Sequence, residues 1–312
     1  MLCNYSLKTG KLSDGMRDQS TPGFFANLHG TARGPFLEGN HRPRMEDPVA
    51  TAVLKSELFL FFEQLAGARE HALLLDYDGT IAPFRANRHQ AFPYAEVPEL
   101  LDSIMSTCGT RVVLISGRRA AEIGPLLGPI PQPEIWGSHG LERLLPDGRY
   151  EVLPVPQQAA AALAEAHVRL EGEGLTRLCE VKPGAVAIHW RGLKTTQIEE
   201  IRTTAYRTLA TLACQADLRM DEFDGGLELR VRGGNKQHAV RTVLSEMAAD
   251  VAVAYLGDDI TDEDAFQEVN LRGLTVLVRP TVRSTKAQTW LKPPAELVQF
   301  LLDWIRACGG DV

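Results

Sequence analysis

Short apolar runs that stop abruptly at polar residues recur along the chain. Ala72 to Leu75 stops at Asp76, and Arg111 to Ile115 stops at Ser116-Gly117-Arg118. Ile135 to Gly137 stops at Ser138-His139-Gly140, and Val251 to Leu256 stops at Gly257-Asp258-Asp259. Runs this short, bounded by turn residues, predict strands buried on both faces of a parallel sheet. Val97 to Ser106 and Arg119 to Leu127 read as helices between them, and a Leu-, Phe- and Glu-rich helix through Leu54 to Leu65 precedes them. Alternating strands and helices predict an α/β fold, in which ligands lie outside the carboxyl ends of the strands. The polar clusters occupy that edge.

The middle of the chain has a different rhythm. A helix from Gln157 to Glu171 is followed by strands at Arg177 to Val181 and Ala185 to Trp190. A second helix, Thr195 to Ala213, is followed by strands at Leu218 to Glu222 and Leu227 to Val231. This order predicts an α+β unit with its own antiparallel sheet. Residues 141–231 are therefore expected to form an inserted domain within a core made of 51–140 and 232–312. Residues 1–50 show neither helical nor strand periodicity and are expected to be disordered or loosely attached. Met45, followed by Glu46-Asp47-Pro48, is a candidate original start. Leu297 to Arg306 forms a last helix, either covering the core or presenting an interface.

The 312 residues carry 33 basic and 40 acidic side chains, a net charge of -7 with histidine neutral. That balance argues against a nucleic-acid surface. Apolar runs such as Leu58 to Phe62 fall far short of the roughly 18 to 20 residues that cross a bilayer, so no membrane segment is expected. No charged segment followed by an apolar stretch and a cleavage site opens the chain, and a cytoplasmic protein is expected. The five scattered cysteines form no C-x-x-C pair, which argues against a disulfide framework and a zinc site.

Candidate chemistry sits at the strand ends. Asp76-Tyr77-Asp78-Gly79-Thr80 places two carboxylates two residues apart, an arrangement in which one can attack while the other handles a proton. Alone, such a stretch is a turn signal. Asp258 to Asp264 adds five carboxylates in seven residues, a density that calls for solvation or a cation, with magnesium the natural oxygen-liganded candidate. Carboxylates at a helix N-terminus are the plainer reading of the same stretch. Ser116 with the backbone of Gly117 and Arg118 offers donors for a phosphoryl group, and Lys236 offers charge.

The four segments, in this order, resemble the motifs of the haloacid-dehalogenase-like (HAD) phosphatase superfamily. Asp76 and Asp78 match the first, Ser116 the second, Lys236 the third, and Asp258 with Asp259 the fourth. The interval between Ser116 and Lys236 resembles a cap inserted at the second of the superfamily's two usual positions. The resemblance implies a Rossmann-like α/β core with a parallel sheet and a C2-type α+β cap.

The wording of the motifs is similar to the trehalose-6-phosphate phosphatase family. The residues that carry this are Leu75 to Thr80, Ile115 to Arg118, Gly137-Ser138-His139-Gly140-Leu141-Glu142 and Gly257 to Phe266, with Ser284 to Ala287 and Ala295 to Leu301 behind them. Glu228-Leu229-Arg230-Val231 and Lys236-Gln237 stand where the family commonly has Arg-Pro and Lys-Gly.

The resemblance implies magnesium-dependent hydrolysis of trehalose 6-phosphate through an aspartyl-phosphate. Asp76 would be the nucleophile and Asp78 the acid and base. Magnesium would be held by Asp76, the Asp78 carbonyl and Asp258, and phosphoryl oxygens by Ser116, Gly117 and Lys236. Asp259 or Asp262 would bind through metal waters or orient Lys236.

A sugar without charge needs carboxylates, amides and cations at fixed positions. Alternate residues of the cap strands make Glu180, Lys182, His189, Arg191, Glu228 and Arg230 candidates, joined from the core by His139 and Glu142. Leu141 to Asp147 and Val231 to Asn235 are the expected hinges. A glucosyl- or mannosyl-glycerate phosphatase or a sucrose-phosphate phosphatase would keep the same chemistry on another sugar. A catalytically silent binding or regulatory protein would be signalled by loss of Asp76, Asp78, Lys236 or Asp258, and all four are present. A trehalose-6-phosphate synthase is a candidate partner on the same resemblance.

Overall fold

The structure, a computed structural model, describes residues 48–310 apart from positions 86 and 224, with side chains from Ser56 onward. The expectations for residues 1–50 and for Met45 lie outside the described residues, except for Pro48 to Ala50, which open the first helix.

Alternation within each central strand separates two apolar faces. Helix α1 (Pro48–Gly67) leads into β1 (His71–Leu75), then α2 (Val97–Ser106), β2 (Arg111–Ile115), α3 (Ala120–Leu127) and β3 (Glu134–Gly137). Leu73 and Leu75 of β1 pack with Phe61 and Leu65 of α1 and Leu101 and Ile104 of α2. Ala72 and Leu74 belong to a cluster on the opposite side. Because both faces are covered, these strands read as continuous apolar runs.

The chain then forms β4 (Glu142–Leu144) and β5 (Tyr150–Val152) before entering a second layer system. There α4 (Gln157–Gly172) precedes β6 (Cys179–Lys182) and β7 (Ala185–His189), and α5 (Thr195–Gln215) precedes β8 (Leu218–Phe223) and β9 (Gly226–Val231). It returns to the core through α6 (Lys236–Ser245), β10 (Ala252–Gly257), α7 (Glu263–Val269), β11 (Leu274–Val278), β12 (Thr289–Leu291) and α8 (Ala295–Ala307). Val240 and Val243 of α6 and Phe266 of α7 cover the second face of the core sheet, while Leu301 and Trp304 of α8 join α1 and α2 on the first. The last helix therefore covers the core.

The large sheet runs β12-β11-β10-β1-β2-β3-β4-β5 among the described residues. Its first six strands are parallel, and β4 and β5 add to it antiparallel. The smaller sheet, β6-β7-β9-β8, is antiparallel throughout. One of its faces is packed by α4 and α5 through Val186, Ile188, Leu227 and Leu229.

Three expectations are corrected. Residues 141–152 do not open the cap: β4 and β5 extend the core sheet, and the chain crosses into the cap between Val152 and α4. Arg143 of β4 is held by Glu134 at 2.8 Å and lies over Trp136 at 5.0 Å. The expected hinge at Leu141 to Asp147 is consequently strand β4 and its turn. The strand expected at Arg177 to Val181 starts later, at Cys179, because Thr176–Leu178 form a 3-10 turn.

Candidate active site

Parallel strands bring their carboxyl ends to one edge, and Asp76, Ser116, Ser138 and Asp258 each follow the last residue of a strand there. The ladder continues into these residues: Asp76 N–H donates to Leu256 O at 2.9 Å and Ser116 N–H to Trp136 O at 2.8 Å. The carboxylate bearers are thus set by sheet register. Gly79, at φ +89°, lets the turn after Asp78 pass Asp258, since a Cβ there would lie 2.3 Å from Asp258 Oδ2.

Lys236 opens α6, with Asn235 as its cap accepting from His238 N–H at 2.9 Å. Its buried Nζ donates to Asp76 Oδ1 at 2.6 Å and Asp262 Oδ1 at 2.7 Å. Asp262 also accepts from Tyr255 OH at 2.6 Å and from the backbone N–H groups of Asp258 and Asp259 at 3.1 and 3.0 Å. With four donors its carboxylate is saturated, and its position fixes Lys236. Thr80 Oγ1 donates to the other Asp76 oxygen at 3.2 Å.

Carboxylate oxygens of Asp76, Asp258 and Asp262 lie within 4.8 Å of one another, all buried. Burial raises the Asp76 pKa to about 7, with Asp262 and Asp78 adding to the rise and Lys236 opposing it. Asp258 is also raised well above the usual range, by burial first and then by Asp76, Asp262 and Asp259. Three buried carboxylates against one ammonium leave an excess of negative charge, which a divalent cation neutralises. The donors are hard oxygens, suited to magnesium. Asp262 is already saturated, so Asp76 and Asp258 are the carboxylates available to hold the ion.

Asp78 is gripped by Arg118, whose Nε and Nη2 each donate to one of its oxygens at 2.6 Å. Ser116 is buried and its Oγ accepts from Arg118 N–H at 3.2 Å. Gly117 lies against the His139 ring, where a Cβ would meet Cε1 at 2.6 Å. His139 and Ser138 have positive φ, 58° and 48°, unusual for non-glycine residues and typical of sites where a side chain must be aimed. His139 Nε2 lies 3.1 Å from Glu228 Oε2, and burial holds its pKa below 6.5 despite that partner.

The cap contributes the face opposite its helices. Glu180, Ala187 and Glu228 stand in one cross-strand row, and Lys182, Ala185 and Arg230 in the next. The two alanines leave space in which the longer polar side chains extend. Lys182 pairs with Glu228 and donates from Nζ to Gly117 O of the core at 2.9 Å. Burial alone would raise Glu228, but Lys182 and His139 outweigh it and hold its carboxyl below the usual range. Burial would likewise raise Glu180, yet the His189 hydrogen bond, Lys182 and Arg88 bring it down to about 2.

Core and cap enclose a cavity of about 220 Å³. Asp76, Asp78, Ser116, Gly117, Lys236 and Asp258 line its floor, and His139, Glu180, Lys182, His189, Arg191 and Glu228 its walls and roof. Two expected sugar residues lie elsewhere. Glu142 is buried with its carboxylate accepting from Ala120 N–H at 3.1 Å, Ser138 Oγ at 2.6 Å and Tyr150 OH at 2.7 Å, so it braces the Ser138-His139 turn. Arg230 turns to Asp221 at 2.8 Å and to Gly234 O. The cavity also includes Phe84, Arg88 and Phe223. These stand in no motif, and only the exposed aromatic in a polar loop marked Phe84.

Among the described residues, no helix is long and apolar enough to cross a membrane. A family model described as trehalose-phosphatase matches residues 74–292. The trehalose-phosphate phosphatase of Mycobacterium marinum is 31% identical over 247 residues, covering 73% of this chain and 60% of that protein. The chain thus spans about three fifths of the length of the curated relatives it matches. The C-terminal domain of Candida albicans trehalose-6-phosphate phosphatase superposes with a TM-score of 0.65 at 21% identity, over 81% of this chain and 97% of that one. The C-terminal domain of the Candida albicans trehalose synthase regulatory protein does so with a TM-score of 0.61 at 17% identity, over 77% and 96%. At these identities the two superpositions show the fold alone: a Rossmann-like α/β core with a parallel sheet and an inserted α+β unit. The family match over residues 74–292 and the 31% identical relative make this chain a member of the trehalose-phosphatase family.

Proposed function

We propose that this chain hydrolyses trehalose 6-phosphate to trehalose and phosphate, with magnesium as its metal. One observation carries the reading: a buried carboxylate at a strand end, Asp76, is held 2.6 Å from a buried lysine and beside Asp258, beneath a cap face of charged side chains. Asp76 attacks phosphorus, its oxygen forming a bond as the bond to the sugar oxygen breaks. Asp78 protonates that leaving oxygen and then takes the proton of the water that hydrolyses the aspartyl-phosphate. Lys236, Ser116 and the Gly117 N–H hold phosphoryl oxygens, while Asp262 keeps Lys236 in place. Asp76, the Asp78 carbonyl and Asp258 would hold magnesium, which would supply charge neutralisation at the phosphoryl group.

Sugar hydroxyls meet Glu180, Lys182, His189, Arg191 and Glu228 from the cap and His139 from the core. A glycosyl transfer that builds the disaccharide phosphate must precede this step, and a synthase performing it is the candidate partner.

Phosphate release from a panel of sugar phosphates, with magnesium or chelator, tests the reading. Magnesium-dependent release from trehalose 6-phosphate, abolished by Asp76→Asn, is expected. Release from another sugar phosphate alone would keep the chemistry and overturn the substrate. No release from any would favour a silent binding protein.

A further inference from the structure

Arg88 lies outside every motif, yet it touches both parts of the molecule. It opens the 3-10 turn Arg88–Gln90 between β1 and α2, capped by Asn87, whose side chain accepts from His89 N–H at 3.1 Å. Its carbonyl accepts from Arg118 Nη1 at 2.8 Å, which ties the turn to the residue that grips Asp78. One arm of its guanidinium, Nη2, donates to Glu122 Oε2 of α3 at 2.5 Å. The other arm, Nη1, donates to Glu180 Oε2 on β6 of the cap. His189 Nε2 lies 2.6 Å from that same oxygen.

The two oxygens of Glu180 therefore have different surroundings. Oε2 is bound to the core through Arg88 and to its neighbour His189, whereas Oε1 is buried with no hydrogen-bond partner among the described residues. Glu180 lines the cavity. A buried carboxylate oxygen without a donor is a costly arrangement, and a ligand hydroxyl relieves it.

We propose that Arg88 is a positioning residue that couples closure of the cap to recognition of the sugar, by fixing Glu180 so that its free oxygen meets a sugar hydroxyl. The inference rests on the reading of the cavity as a sugar-phosphate site. Glu122 and Arg88 both belong to the core, so their pair survives an open cap. The Arg88–Glu180 pair forms only when the cap lies on the core. A planar fork is required to bridge two carboxylates on different elements, which a lysine ammonium at the end of a flexible stem does not reproduce.

The test compares two phosphate esters in the full chain with magnesium: trehalose 6-phosphate, which engages the cap, and p-nitrophenyl phosphate, which carries no sugar. For Arg88→Ala, the ratio of kcat/KM for the sugar ester over that for the aryl ester is expected to fall at least tenfold, with the loss largely in KM for the sugar ester. Arg88→Lys, which keeps charge and bulk, is expected to recover less than half of that loss on a logarithmic scale. In a Glu180→Gln background, Arg88→Ala is expected to change the ratio less than twofold. An unchanged ratio in both Arg88 variants, or an equal loss with and without Glu180, overturns this inference alone. Release from neither ester by the wild-type chain overturns the phosphatase reading and this inference with it.

Discussion

Removing the metal should make the protein less stable as the pH rises, opposite to the usual behaviour of paired carboxylates. Asp76 has its pKa raised from 3.8 to about 7, because burial and the neighbouring Asp262 and Asp78 disfavour its charge more than Lys236 favours it. The folded state therefore holds a proton that the unfolded chain has released. The associated stability is fully present below pH 3.8 and is lost as pH rises through about 7. At 1.36 kcal/mol per unit of pKa, the shift corresponds to about 4 kcal/mol, a large part of the 5–15 kcal/mol of a typical domain. Asp258, also raised, acts in the same sense. His139, lowered from 6.5 by burial, acts in the opposite sense below that pH. Glu180 and Glu228 titrate below 4.5 and leave the window untouched.

Urea unfolding between pH 5 and 8 in chelator measures this directly. Wild-type protein should lose about 2–3 kcal/mol more than Asp76→Asn over that range. Magnesium at a hundred times its Kd should restore about 2.7 kcal/mol at pH 8 and far less at pH 5, where protons compete for the same oxygens. Parallel pH profiles for the two proteins, or equal stabilisation by magnesium at both pH values, would refute the reasoning.

Three further outcomes follow from the geometry. Gly79→Ala puts a Cβ 2.3 Å from Asp258 Oδ2 at φ +89°, so magnesium affinity measured by calorimetry should fall at least tenfold. Glu142→Gln disturbs three hydrogen bonds around the Ser138-His139 turn and should cost about 2 kcal/mol in urea unfolding, while KM for the sugar phosphate stays within twofold. Asp78→Asn removes the proposed proton donor and should lower kcat by about 10² to 10⁴-fold in steady-state assays, with thermal unfolding showing a folded protein.

The core was legible because its strands are buried on both faces and end in polar residues, so Asp76, Ser116 and Asp258 marked strand ends that the structure brings to one edge. The cap's element order was legible too, but its start was not. Strands β4 and β5 have three residues each and join the core sheet antiparallel, too short to show a period in the sequence. Glu142 failed as a sugar candidate for another reason: a carboxylate next to a motif can serve the backbone of that motif. Arg88 left no trace in the sequence, because its partners Glu122 and Glu180 are brought together only by the cap meeting the core. The choice between Asp259 and Asp262 for orienting Lys236 required the side chains themselves, and Asp262 takes that role.

The likeness to a regulatory domain leaves catalysis and silent binding with the same fold, and one fold serves many functions. Charge separates them. A module that only binds a sugar phosphate gains from cations around the phosphate and loses from each carboxylate beside it. Here Asp76, Asp258 and Asp262 lie together at the floor of the cavity with Lys236 as their buried ammonium partner. Without a metal these carboxylates either repel a phosphate dianion or take up protons, and keeping them buried close together costs stability on its own account. Asp262 explains itself by holding Lys236, and Asp76 shares that lysine at 2.6 Å, but Asp258 has only the longer contact with Arg279 at 3.9 Å. Their placement makes physical sense when a divalent cation offsets their charge and Asp76 is needed as an attacking oxygen. The same electrostatic burden that makes the metal-free protein sensitive to pH therefore supports hydrolysis over mere recognition.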